Sequence, residues 1–183
     1  MFNFFFEVKD RYETYIDELS LVPWVFVRRV SEGGYKITQD IYFNRFANTA
    51  TDLNKQKTYT VPEDIQDLLS SFYYARNFDC SEIKAGEVIR ITTFIDFEVY
   101  PLKLKFIGRE KVKTSIGSVN CLKFMPMLQV GNIFKDKEGM TIWISDDKNH
   151  LPILVEADLL VGSIRMELIK YSNLKNNINF SGK

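Results

Sequence analysis

The densest run of chemistry-bearing side chains is S-D-D-K-N-H, residues 145–150. Asp146 and Asp147 stand beside His150, the one histidine of the chain. Two carboxylates and an imidazole supply a general acid and base, or ligands to a metal. The remote reading is therefore a hydrolase working from Asp146, Asp147 and His150. It requires these side chains to converge in a cleft with another acid. Consecutive residues in a polar turn instead point to solvent, and Asp and Asn are favoured in turns for backbone reasons. Nucleophilic chemistry has no other support, because the chain holds no G-x-S-x-G elbow and no phosphate-binding glycine loop. Cys80 and Cys121 lack a neighbouring histidine and a C-x-x-C pair. They read either as a disulfide or as two buried thiols. On these residues the chain is not an enzyme, and no metal or cofactor is implied.

Charged residues elsewhere read as structural. Arg11 and Glu13 fall on one face of a strand and Asp10 on the other, which suits an ion pair across the sheet. Lys103, Lys105, Arg109, Lys111 and Lys113 lie mostly on one parity of a long hairpin and read as a solvated strand face. What remains is apolar. Trp24, Phe26, Phe94, Phe97, Met125 and Trp143, with Met127, are the candidate ligand-binding residues. Ligand pockets are mostly apolar, and methionine adapts to varied surfaces. The same residues equally suit a filled core, and both readings stay open at this point.

The elements that position them are strands. Aromatic residues make up 14% of the chain, with 15 Phe and 9 Tyr, and these types favour strands. Successive apolar-alternating runs are separated by turn signals, the clearest at Gly33-Gly34. Residues 87–99 read as one long half-buried strand that Tyr100-Pro101 interrupts. One helix is expected, over 62–77, with Pro62 in its first turn and Ile65, Leu68, Leu69, Phe72 and Ala75 along one apolar face. The fold class is mainly β: a curved antiparallel sheet or incomplete β-barrel of about ten strands, the amphipathic helix packed on its concave face.

With 183 residues and no linker, residues 1–172 read as a single β-rich domain, and 173–183 as a frayed polar tail. Lys plus Arg equal Asp plus Glu at 24 each, so a nucleic-acid partner held through phosphates is not expected. No apolar run approaches the roughly 20 residues of a membrane-spanning helix.

Several stretches resemble a bacterial family of exported proteins labelled domain of unknown function 3108. They are V-K-D-R-Y-E-T-Y-I-D (8–17), R-x-V-x-E-G-G-Y-K (28–36) and V-P-E-D-I-Q-D-L-L-S-S-F-Y-Y-A-R (61–76). G-S-V-N-C-L-K-F-M-P (117–126), W-I-S-D-D (143–147) and G-S-I-R-M-E-L (162–168) follow in order. The resemblance implies a periplasmic or envelope-associated β-protein without an assigned activity. Family members carry a signal sequence and further strands before the D-R-Y-E-T-Y-like segment, so missing N-terminal strands are expected here. By analogy of fold alone, such half-barrels are similar to periplasmic lipoprotein carriers. Two expectations follow: a lipid or other hydrophobic ligand held between helix and sheet, or a module binding another envelope protein through a sheet edge or face.

Overall fold

The computed structural model describes residues 7–127, 139–158 and 162–181. The chain divides into two units, Met1–Ala75 with Ile91–Pro101, and Arg76–Arg90 with Leu102–Lys183. No linker marks this division, which is why the sequence reads as one domain.

In the first unit, β1 (Arg11–Ile16), β2 (Pro23–Glu32), β3 (Tyr35–Asn44), β4 (Thr49–Asp52) and β5 (Lys57–Thr60) form an antiparallel meander in chain order. Gly33 and Gly34 close the β2–β3 turn with φ of 51° and 99°, a left-handed conformation that glycine adopts without strain. The strand expected to begin at Met1 lies partly outside the described residues. Alternation buries Phe26, Ile41, Phe43 and Ala50 on one face, with Val61, Ile65 and Phe94 completing that core. Trp24 breaks the alternation. Tyr15 pairs with Val25 but Ile16 pairs with Pro23, so Trp24 is the extra residue of a bulge and is re-aimed.

The helix is shorter than its pattern. Only α1 (Ser70–Ala75) is helical, and Phe72 and Tyr73, at 53% and 50% exposure, form no buried stripe. Tertiary pairing overrides the period over 62–69. The Gln66 amide donates to Thr92 O and the Phe94 amide donates to Gln66 O, a one-residue parallel bridge. Asp67 then caps the helix, accepting the Leu69 and Ser70 amides at 2.8 and 2.9 Å, while the Asp67 amide donates to Ser70 Oγ. Thr14 Oγ1 donates to the other carboxylate oxygen at 2.5 Å, tying β1 to the cap.

The long strand expected over 87–99 is two strands. β6 (Val88–Ile95) and β7 (Glu98–Thr114) turn at Asp96 and Phe97, with φ of 50° and 69°. Such a turn normally carries glycine or asparagine, so Asp-Phe gave no signal. Packing holds it instead: Phe97 stacks on Tyr59 at 5.6 Å, Lys55 lies over its ring, and Arg28 donates to Asp96 at 2.8 Å. Pro101 does not interrupt the chain but lies within β7.

β7 continues into a six-stranded antiparallel sheet with β8 (Gly117–Pro126), β9 (Met140–Ser145), β10 (Pro152–Asp158) and β11 (Ser163–Glu167), in the order β11-β10-β9-β8-β7-β6. The turn expected at 136–139 lies outside the described residues except for Gly139. In the second unit, Val112, Val119, Cys121, Trp143 and Ile153 form one core. Cys80, Phe106, Leu122 and Phe124 form another, on the opposite face of β8. The basic run does not share a face. Phe106 pairs with Phe124 but Gly108 pairs with Lys123, so a bulge at Ile107 flips parity between Lys103/Lys105 and Arg109/Lys111/Lys113.

The expected frayed tail is docked. Phe180 bridges Val119, the Ser181 amide donates to Ser118 O, and Leu174, Ile178 and Phe180 pack into the first of these two cores. The fold is thus mainly β, in two antiparallel sheets of five and six strands with one short helix. The strands expected in one curved sheet or incomplete barrel form two sheets, and among the described residues there is no closed barrel. After β5 the chain leaves its sheet at Pro62, which has no amide to continue a ladder.

Asp67 gives a test of this arrangement. Burial pushes its carboxyl above the usual range, against the hydrogen bonds from Thr14 and the cap amides. A raised folded-state pKa makes the contribution fullest below the ordinary value near 3.9, and it is lost as pH rises through the folded value. Denaturant titrations should show the stability of wild type relative to Asp67→Asn falling as pH rises from about 4. A difference that grows with pH contradicts it. Asp67→Ala should cost about 2–4 kcal/mol near pH 4, less as pH rises.

Candidate functional site

The acid–histidine turn lies in the second unit, between β9 and β10, and its groups are committed to neighbouring side chains and backbone. Asp146 accepts Arg109 Nε at 3.1 Å. Asp147 accepts Ser145 Oγ and the Asn149 amide on one oxygen, and the Asn179 amide on the other. Asn149, nearly buried, donates to Asn176 O at 2.9 Å and accepts the Asn176 amide. His150 Nδ1 lies 2.8 Å from Arg76 O, so the proton sits on Nδ1 and donates. These side chains do not converge on a shared space. Among the described residues no three His, Cys, Asp or Glu side chains could hold a metal together. The turn is a clasp for the tail. Arg11 pairs with Glu13 within its own strand at 2.5 Å rather than across the sheet, and Asp10 accepts the Ser31 amide.

Of the six apolar candidates, three come together. Phe26, Phe94 and Phe97 line a cleft in the first unit with Ile41, Leu68 and the polar Arg28, Gln39 and Asp96. Arg28 Nη1 donates to Asp96 Oδ1 at 2.8 Å, its guanidinium lies 5.7 Å from the Tyr12 ring centroid, and its Nε is buried without a partner. Arg28 follows Phe26 at a spacing of two, so strand alternation could have placed it there. Asp96 and Gln39 gave no such signal. The cleft has a volume of about 20 Å³, room for a single water rather than an acyl chain. Trp24 does not join the cleft. The bulge turns it to Phe46, at 6.4 Å between centroids. Met125 and Trp143 belong to the second unit. Met125 is half-buried opposite Lys105, whereas Trp143 is in the core, its Nε1 donating to Glu110.

A surface that the sequence did not single out lies on β9–β11. The register aligns Met140, Ala157 and Ile164 in one cross-strand row and Ile142, Val155 and Met166 in the next. Ile164 is 43% exposed and Met166 56%, and β11 ends the sheet. Alternation in S-I-R-M-E carried the signal, but the row is legible only once the register is known.

The family described as Protein of unknown function (DUF3108) matches residues 1–169. The chain belongs to this family. No curated protein and no solved structure matches it. The DUF3108 match spans the apolar cleft, the acid–histidine turn and β11 alike, so it favours none of them by position.

Both cysteines of this DUF3108 chain are free and buried, Cys121 in the core on one face of β8 and Cys80 in the core against the other. Burial pushes the Cys121 thiol up to about 12, with the nearby Asp146, Asp147 and Glu110 adding to it. At pH 8 a thiol-specific aromatic disulfide should label native Cys121 slower than a free thiol by a factor on the order of 10³, and both cysteines should label fully in denaturant. Asn149→Ala should destabilise the second unit by about 2–3 kcal/mol and speed tryptic cleavage at Lys175, read by denaturation and limited proteolysis.

Proposed function

We propose that this chain is a non-enzymatic protein of the periplasm or cell envelope that binds another envelope protein through the β9–β11 face and the outer edge of β11. The observation that carries the reading is the pair of apolar rows ending at Ile164 and Met166 on an edge strand. Exposed apolar surface that continues a sheet suits a partner strand or an apolar partner face. Arg165, on the opposite face, pairs with Glu156 and Glu167, so one face of the edge is charged and the other apolar. Such asymmetry favours one orientation of an added strand.

A second reading keeps the cleft of Phe26, Phe94 and Phe97 as a site for a hydrophobic ligand, with Leu68 and α1 as the cover on a concave sheet. Its support is the convergence of those three aromatics beside the strained Asp96-Phe97 turn. Occupation requires that turn to open, since the cleft as it stands has room for one water only.

A photocross-linking amino acid at Ile164, with the chain expressed in a Gram-negative periplasm, should yield a discrete adduct that Met166→Lys abolishes without changing thermal stability. An adduct that persists in Met166→Lys, or none at Ile164, removes the edge reading. Native mass spectrometry with lipid extraction tests the other: an acyl lipid at fixed stoichiometry, lost in Phe97→Ala, supports the carrier.

A further inference from the structure

Two apolar side chains of the first unit stand almost wholly in water: Leu19 at 95% exposure and Phe46 at 93%. They sit at the tips of the β1–β2 and β3–β4 turns. Alternate turns of a meander fall at the same end of the sheet, and Arg45 joins these two through Asp17 at 3.3 Å. Beneath Phe46 lies Trp24, with the Arg45 guanidinium 5.3 Å from its ring centroid.

We propose that turns 17–21 and 45–48 dock the first unit onto a zwitterionic lipid bilayer, with Leu19 and Phe46 inserted among the acyl chains and Trp24 and Arg45 at headgroup depth. Their backbone amides favour lipid over protein. Asp17 Oδ1 accepts the Leu19 and Ser20 amides at 3.3 and 2.9 Å, and Asp17 O accepts the Leu21 amide. Asn44 Oδ1 accepts the Phe46 and Ala47 amides at 3.0 and 3.1 Å, and Asn48 O accepts the Val61 amide. Amides satisfied within the turns can leave water at little cost, which insertion requires. Nor are these five turn amides free to bond a protein partner. Leu21 and Asn48 close the turns with φ of 57° and 52°, so the tips are held in shape before contact. Tryptophan and arginine at the base suit an interface where one end of a side chain is apolar and the other wet. Charge selects the lipid: Arg45 neutralises Asp17, and Glu18 leaves the tip acidic, which disfavours anionic headgroups.

The chain has two tryptophans, and Trp143 is buried, so Trp143→Phe leaves Trp24 as the sole indole. Phosphatidylcholine vesicles should shift its emission to the blue, and lipids brominated near the top of the acyl chain should quench it. Leu19→Ser and Phe46→Ser should each weaken partitioning about tenfold. Tyr35→Ser, 62% exposed at the other end of the same sheet, should leave it unchanged. Vesicle flotation of the wild-type chain with the same three substitutions gives a readout independent of the Trp143 change. The proposal is overturned by an unshifted Trp24, by a Leu19→Ser/Phe46→Ser double variant that floats like wild type, or by binding that needs anionic lipid and is lost in salt.

Discussion

The first unit turns on a polar requirement more than on its apolar core. Gln66, Asp67, Ser70, Ser71 and Thr93 have no exposed surface, yet lie where the chain passes from sheet to helix. Polar groups withdrawn from water must find partners or cost several kcal/mol. The solution fixes the geometry. Gln66 lends its backbone to β6, which places Phe94 in the core, and Asp67 caps α1 while holding β1 through Thr14. The cleft walls, the helix start and the position of β6 follow from these few bonds.

Strand identity and order were legible because alternation and turn residues act locally. The hairpins from β1 to β5 and from β7 to β11 follow Gly33-Gly34, Gly117 and the runs between them. The failures share a physical origin. Ile65, Leu68 and Leu69 have helical spacing, but a backbone bridge to β6 outweighs propensity over six or so residues. Asp96-Phe97 lacks turn chemistry, and its hairpin is held by Tyr59, Lys55 and Arg28, residues far away in sequence. Bulges at Trp24 and Ile107 shift parity by one, which moves Trp24 out of the aromatic cluster and splits the lysines between faces. A one-residue slip leaves no compositional trace.

The candidate chemistry was misleading for a related reason. Asp, Asn and His are both the residues of acid–base sites and the residues of tight turns, and only their partners separate the two roles. Around Asp147 and Asn149 the partners are tail amides and carbonyls, so the polarity that draws the eye is spent on holding residues 174–181 against β8 and β9. The surfaces with unspent capacity are apolar: Ile164 and Met166 on β11, and the tips of the β1–β2 and β3–β4 turns at one end of the meander.

The docked tail also sets an order of events during synthesis. The core of the second unit includes Ile178 and Phe180, and that of the first includes Phe94, which lies beyond the first fifteen residues of the second unit. A chain emerging from the ribosome can close the first core only after Phe94, and this core of the second unit only after Ile178 and Phe180. The first unit can therefore close while the second still lacks its tail, and the second stays in need of protection until Ile178 and Phe180 arrive.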